Sequence, residues 1–332
     1  MTHDLALVAD VGGTYARLAL ARRDDDDVLA PGSIAQFDVA RFGSLERVVD
    51  HYLEGMESRP VDAVLAVAGP VAGDEVRMTN SDWRISRGRF ARELNFESVR
   101  LVNDFAALSA AIPSLSDASL EPIGPHAAPK FDRLAPRVMA VIGPGTGLGV
   151  GVLLVRDGRL LIIDTEGGHS AFAPNTAEER EILNVMSSRF GRVSNERLVS
   201  SSGLLNLYEA ACAVSDVAVR AATPEAVTAG AANGDTAARR SVELFCEVLG
   251  ALAGDVVLMT GAWDGVYLAG GLIPPLLPWL KSGKFRERFE SKGRIASAVA
   301  SVPTTAITQQ HPGLIGAGAL AFSDWISLVR QP

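Results

Sequence analysis

Cysteine is scarce in this chain. Its 332 residues include two, Cys212 and Cys246, each in a helix-like stretch and neither with a cysteine nearby. That leaves no disulfide framework and no cysteine cluster for a metal, and it points to reduced, buried, structural thiols of the cytoplasmic kind. Basic clusters are missing too: the net charge is −8, so nothing resembles a surface that neutralises a phosphate backbone, and nucleic acid is not an expected partner. No uninterrupted apolar run reaches bilayer length, and no basic segment leads into an apolar one near the start. A soluble cytoplasmic protein with no membrane partner is expected. The lysine-bearing P-loop pattern G-x-x-x-x-G-K-[ST] is absent. The glycines at 145, 147, 149 and 151 do not fit G-x-G-x-x-G and lead into a strand, so a Rossmann dinucleotide site fits poorly.

What the chain does contain is ordinary globular stock, 48% hydrophobic and 21% charged, at a length that suggests two domains. Within it stand two glycine-threonine turns, each after a short apolar strand. The first is Leu7-Val8-Ala9-Asp10-Val11-Gly12-Gly13-Thr14; the second is Met139-Ala140-Val141-Ile142-Gly143-Pro144-Gly145-Thr146-Gly147. Gly13 and Thr14 recur as Gly145 and Thr146 at one common offset, and each turn leads into a returning apolar strand. A hairpin tip without side chains lets an anion approach backbone N–H groups closely. Either turn alone also suits an ordinary tight hairpin, where glycine is the default residue. Asp10 beside one tip and the matched copy of the other favour a polyphosphate held between two half-molecules. Pro144 stiffens the second turn and removes one N–H from it.

The rest of the first part alternates strand and helix signals. Strands are expected at Leu5–Val11, Ala16–Ala21, around Ser33–Val39, Ala63–Ala68 and Val99–Val102, and helices at Ser44–Glu54, Arg87–Leu94 and Phe105–Ile112. The acid run Asp24–Asp27 reads as a solvated hairpin loop. Ser114–Pro136 is rich in Pro, Ser and Ala with weak periodicity, which marks a domain junction. The theme then repeats: a hairpin over Val138–Val155, a strand at Leu160–Asp164, helices at Ala177–Phe190, Gly203–Ala213 and Thr236–Met259. Next come a strand at Val266–Ala269, a helix start at Pro274–Leu280, a strand at Thr305–Thr308 and a final helix at Gly316–Leu328. Mixed sheets flanked by helices follow from this order.

Asn103-Asp104 sits where a strand yields to a helix, the place where open α/β sheets bind ligands. A helix N-cap at Asp104 is an equally good reading of the same residues. Glu166-Gly167-Gly168-His169 also follows a strand; one Glu and one His are too few for a metal site, and a structural His remains open. Glu196 carries no signature of its own.

Taken together, the motifs are recognisable. Asp10-Val-Gly-Gly-Thr14-x-x-Arg17, Ala68-Gly-Pro70, Met78-Thr-Asn80-x-x-Trp83, Val102-Asn-Asp-Phe105 and Gly145-Thr-Gly-Leu-Gly149 occur in order. Glu166-Gly-Gly-His169, Phe172-Ala-Pro-Asn175, Glu196-Arg, Leu268-Ala-Gly-Gly271 and Pro312-Gly-Leu follow. The string closely resembles the bacterial glucokinase family over nearly the whole chain. The cysteine-rich zinc motif of the related repressor and kinase family is absent.

That resemblance implies an α/β, two-domain actin-like ATPase (ribonuclease H-like) fold, with duplicated mixed sheets and an interdomain cleft. It implies a smaller domain of residues 1–113 plus about 312–332 and a larger one of 114–311. The implied reaction is phosphoryl transfer from ATP to the 6-hydroxyl of D-glucose, with Asp104 as general base. Asn80, Asn103, Asp104, Glu166, His169 and Glu196 would bind sugar. Asp10 would hold Mg²⁺ through water. Gly12, Gly13, Thr14, Gly145, Thr146 and Gly147 would contact phosphates, with Gly270 and Gly271 near the adenosine. A homodimer is also implied. A kinase of another hexose or amino sugar, or a sugar sensor without turnover, are the alternatives. In one departure, Tyr15 stands where the family has Asn; packing on a strand face is the expectation.

Overall fold

The structure, a computed structural model, describes residues 2–23, 28–56, 58–69, 71, 73–78 and 83–329. The Asp24–Asp27 loop and Asn80 therefore lie outside the described residues.

The apolar run that opens the chain becomes a central strand because neither of its faces meets water. β1 (Thr2–Val11) pairs antiparallel with β2 (Tyr15–Arg22), which pairs with β3 (Ala35–Asp38). After α1 (Leu45–Leu53), β4 (Pro60–Val67) lies parallel to β1. A small ribbon of β5 (Glu75–Arg77) and β6 (Arg84–Ser86) precedes α2 (Arg87–Leu94), and β7 (Ser98–Asn103) then joins β4 in parallel. The first sheet runs β3-β2-β1-β4-β7. Ser44 begins α1 by accepting from the Arg47 N–H, and Ser86 does the same for α2 at Arg89.

After α3 (Asp104–Ala110) and the short β8 (Leu120–Pro122), the same plan is built again. β9 (Arg137–Pro144), β10 (Leu148–Arg156) and β11 (Arg159–Thr165) form an antiparallel meander. The helices α4 (Ala177–Phe190), α5 (Ser201–Val214), α6 (Pro224–Ala232) and α7 (Thr236–Thr260) intervene. Then β12 (Val266–Leu268) lies parallel to β9. Beyond α8 (Ile273–Leu280), α9 (Lys284–Glu290) and α10 (Ala296–Ala300), β13 (Thr304–Ile307) pairs in parallel with β12. The order β11-β10-β9-β12-β13 repeats β3-β2-β1-β4-β7 strand for strand. The duplication expected from the two glycine turns is thus a duplication of topology.

The chain closes with α11 (Pro312–Phe322) and β14 (Ile326–Val329). This corrects two expectations. The last helix ends at Phe322, because β14 is a strand pairing in parallel with β11. Residues 326–329 therefore join the second sheet and not the first, as the expected boundaries had it. β8 caps the other edge of that sheet, so the segment expected to be a plain junction carries a strand. The helices α6, α9 and α10 also escaped sequence reading.

Three apolar clusters follow the layers. One joins the first sheet to α1 and α2 through Leu7, Leu18, Val48, Val49 and Phe90. Another fills the second sheet and its helices, with both free cysteines buried in it. The third lies between the sheets. It takes Val8, Val64 and Val102 from the first, Met139, Val141 and Leu153 from the second, and Ala106, Ala107, Leu314 and Ala317 from α3 and α11. α3 and α11 touch so closely that a Cβ on Gly316 would stand 2.7 Å from the Ala107 carbonyl carbon and 2.9 Å from the Ala111 nitrogen.

Candidate active site

The two hairpin tips bring out the turn chemistry. In the first, the Gly12 N–H donates to the Tyr15 carbonyl at 2.9 Å and the Val39 N–H to the Thr14 carbonyl at 2.9 Å. In the second, the Gly145 N–H donates to the Gly147 carbonyl at 2.8 Å. Gly12 and Gly145 thus close their turns with their own donors. Among the described residues no protein acceptor takes the N–H of Gly13, Thr14, Thr146 or Gly147. Two pairs of backbone donors remain at two related tips, which is the equipment an oligophosphate needs. The Ser201 N–H and hydroxyl both donate to the Gly145 carbonyl and hold the second tip to the start of α5.

Gly270 ends β12 against this second turn. Its φ is +92°, and a Cβ would stand 2.5 Å from the Pro144 carbonyl oxygen. A side chain is excluded there both by conformation and by space. Gly271 beside it faces open space.

Asp10 lies directly across the strand pair from Arg17, and Arg17 across from Gln36, to which its Nε donates at 2.9 Å. Burial pushes the Asp10 carboxyl up, while the Arg17 guanidinium and the imidazole of His311 oppose that shift. Gly313 makes room for this carboxylate: a Cβ there would sit 3.0 Å from Asp10 Oδ2. A half-buried carboxylate that pays for its desolvation only in part suits a cation held through water and ligand phosphates. Among the described residues no group of three or more His, Cys, Asp or Glu side chains forms a protein cage for a metal. Tyr15 is 42% exposed, with the guanidinium of Arg17, two residues on along β2, over its ring at 5.9 Å.

Asn103 and Asp104 divide their work in a way the sequence left open. Asn103 is the N-cap of α3: its Oδ1 accepts from the Phe105 and Ala106 N–H groups, and its Nδ2 donates to the Gly69 carbonyl. This capping assigns Asn103 a structural duty beside any contact with sugar. It also releases Asp104, whose Oδ1 accepts from the Phe105 N–H at 2.8 Å. Burial, and then the neighbouring Asp10 charge, raise the Asp104 carboxyl to about 6.

Glu166, His169 and Glu196 converge although 30 residues of chain separate the first from the last. The two His169 ring nitrogens lie 3.7 Å from Glu166 Oε2 and 3.8 Å from Glu196 Oε1. Glu196 Oε2 accepts from the Leu148 N–H at 3.0 Å, so this acid also grips the second turn. A Cβ on Gly147 would stand 2.7 Å from that oxygen. With Glu196 as the expected sugar ligand, Gly147→Ala is expected to fold but to displace that carboxylate, raising the KM for the sugar roughly tenfold, the worth of one charged hydrogen bond. An unchanged sugar KM in steady-state kinetics would refute that link.

Sequence reasoning missed His311, which adopts a left-handed φ of 53° at the start of α11 next to Asp10. Its signal was its place before the Pro312-Gly-Leu motif. It also missed the surroundings of Phe105, described below.

Comparison with known proteins gives the family. A family model described as glucokinase matches residues 7–323. The glucokinase of Stenotrophomonas maltophilia strain R551-3 is 49% identical over 315 residues, 95% of this chain and 94% of that one. The glucokinase of Xanthomonas campestris pv. campestris strain B100 is 46% identical over the same shares of both chains. Among solved structures, a glucokinase from an Antarctic psychrotroph superposes with a TM-score of 0.84 at 33% identity, covering 96% of this chain and 98% of that one. The glucokinase of Balamuthia mandrillaris in complex with glucose shares the fold, with a TM-score of 0.83 at 22% identity over 96% and 93%. With its two like-ordered sheets, paired glycine turns and near full-length matches, the chain belongs to the glucokinase family.

Proposed function

We propose that this protein transfers the γ-phosphoryl group of ATP to the 6-hydroxyl of D-glucose. The observation that carries the reading is the half-buried Asp104 carboxylate. It stands beside Asp10 at the end of β7, next to the Asn103 cap of α3 and with its affinity for a proton raised. A base in that state takes a hydroxyl proton as the oxygen attacks phosphorus. Glu166, His169 and Glu196 then hold the remaining sugar hydroxyls, joined by Asn103 and, outside the described residues, Asn80. Such a polar set rejects sugars that would leave its groups unpaired. The free N–H groups at the tips of Gly12-Gly13-Thr14 and Gly145-Thr146-Gly147 take up the phosphates, and Gly270-Gly271 flank the adenosine. Asp10 would hold Mg²⁺, which supplies charge neutralisation on the phosphates when bound.

Each sheet is read as the centre of one domain, with the cleft between them closing on sugar to keep water from the phosphate. A homodimer in the cytoplasm completes the reading. The resemblance supports the dimer, and sedimentation at working concentration tests it. Among the described residues no helix is long and apolar enough to cross a membrane.

The test is sugar-dependent ADP release from ATP, with and without Mg²⁺, comparing glucose, mannose, fructose, N-acetylglucosamine and no sugar. Release with glucose that requires Mg²⁺ is the expected result. Preference for another sugar would overturn the specificity, and glucose binding without turnover would overturn the enzymatic reading.

A further inference from the structure

Three glycines of the second hairpin stand outside the proposed phosphate contacts. Gly143 and Gly149 are directly opposed on β9 and β10, and Gly151 follows two residues on, so the three share one face of the strand pair. Glycine in the interior of paired strands weakens them and marks a close approach by something else. Here the visitor is the ring of Phe105. A Cβ on Gly149 would stand 2.6 Å from Phe105 Cγ and 2.8 Å from Cε2, and one on Gly143 would stand 3.3 Å from Cζ. A Cβ on Gly151 would meet Ser109 Oγ at 3.2 Å and the same ring at 3.5 Å. One turn on, Ser109 donates to the Phe105 carbonyl. The glycines thus form a slot that an aromatic ring fills from both strands.

Phe105 follows Asp104 directly, and its N–H is the donor to the Asp104 carboxylate. The slot lies on the strands that run into and out of Gly145-Thr146-Gly147. We propose that Phe105 is a positioning residue: seated in the Gly143–Gly149–Gly151 slot, it keeps the Asp104 carboxylate in register with the second phosphate turn. The base then travels with the turn that carries the nucleotide and keeps its aim when the sheets move. Ring rigidity matters here, because a flexible side chain of equal volume fills the slot without fixing the angle of α3. Misplacement of reacting groups by about 1 Å can cost about 10²-fold in rate.

The inference rests on Asp104 being the base, and a double-mutant cycle separates the two ideas. Phe105→Leu and Phe105→Met are expected to lower kcat by roughly 10- to 100-fold, with both KM values within about threefold of the parent. In an Asp104→Asn background the same substitutions are expected to lower the residual kcat little further, because the group they aim is gone. A loss multiplied undiminished onto Asp104→Asn, or a parental kcat in both folded Phe105 variants, overturns the positioning role while leaving the base intact. Parental turnover in Asp104→Asn alone overturns the base, and the inference with it. Should Phe105→Leu fail to fold, Phe105→Met carries the cycle, since it conserves volume.

Discussion

Asp104→Asn is expected to lower kcat by roughly 10²- to 10⁴-fold, the usual worth of positioned base catalysis, while glucose affinity stays within a few-fold. Asparagine preserves the shape of the side chain and its acceptor for the Phe105 N–H, so α3 has no reason to move. What it removes is the basic oxygen. The sign of the pH dependence follows from the raised carboxyl. With an Asp104 pKa of about 6, the base is protonated and idle at lower pH, so kcat/KM rises with pH through that region and then levels. Part of the elevation comes from the Asp10 charge, and a cation at Asp10 shifts the acid limb downward. The residual rate of the variant is expected to lack that limb. Near-parental turnover in a coupled ADP assay would remove Asp104 from the base role.

Gly316→Ala is the largest expected loss of stability. The added methyl would meet the backbone of Ala107 and Ala111 on α3, not the tip of a movable side chain. Neither helix has slack, since Ala106, Ala107, Leu314 and Ala317 are buried between the two sheets and are packed like a crystal. Relief requires prying α11 from α3. Overpacking of this kind costs about 3 kcal/mol or more, and a fall in Tm of roughly 5 °C or more is expected by calorimetry. The protein that remains folded should also turn over more slowly, because α3 carries Asp104. A Tm within about 1 °C of the parent would show that the two helices are looser than this packing implies.

Local signals made much of this legible in the sequence. Apolar runs marked β1, β4 and β9, and the helices expected at Ser44–Glu54 and Arg87–Leu94 match α1 and α2. The residues that converge on the site stood in recognisable motifs. What escaped were facts of tertiary contact. Asn103 and Asp104 are both good caps, and only the fold shows which one serves. The glycines at 143, 149 and 151 look like more phosphate loop, because nothing local announces a ring arriving from α3. Ile326–Val329 continues the apolar pattern of α11, and its strand state depends on an edge offered by β11, far away in sequence.

The hydrogen bond from the Leu148 N–H to Glu196 Oε2 has a thermodynamic corollary. On the proposed reading, one carboxylate serves both ligands: one oxygen faces the sugar and the other steadies the nucleotide turn. Occupying either site then changes the restraint felt at the other. Such coupling is reciprocal, so whatever factor glucose confers on nucleotide affinity, nucleotide confers on glucose. A single acid would thereby let each ligand report its arrival to the other.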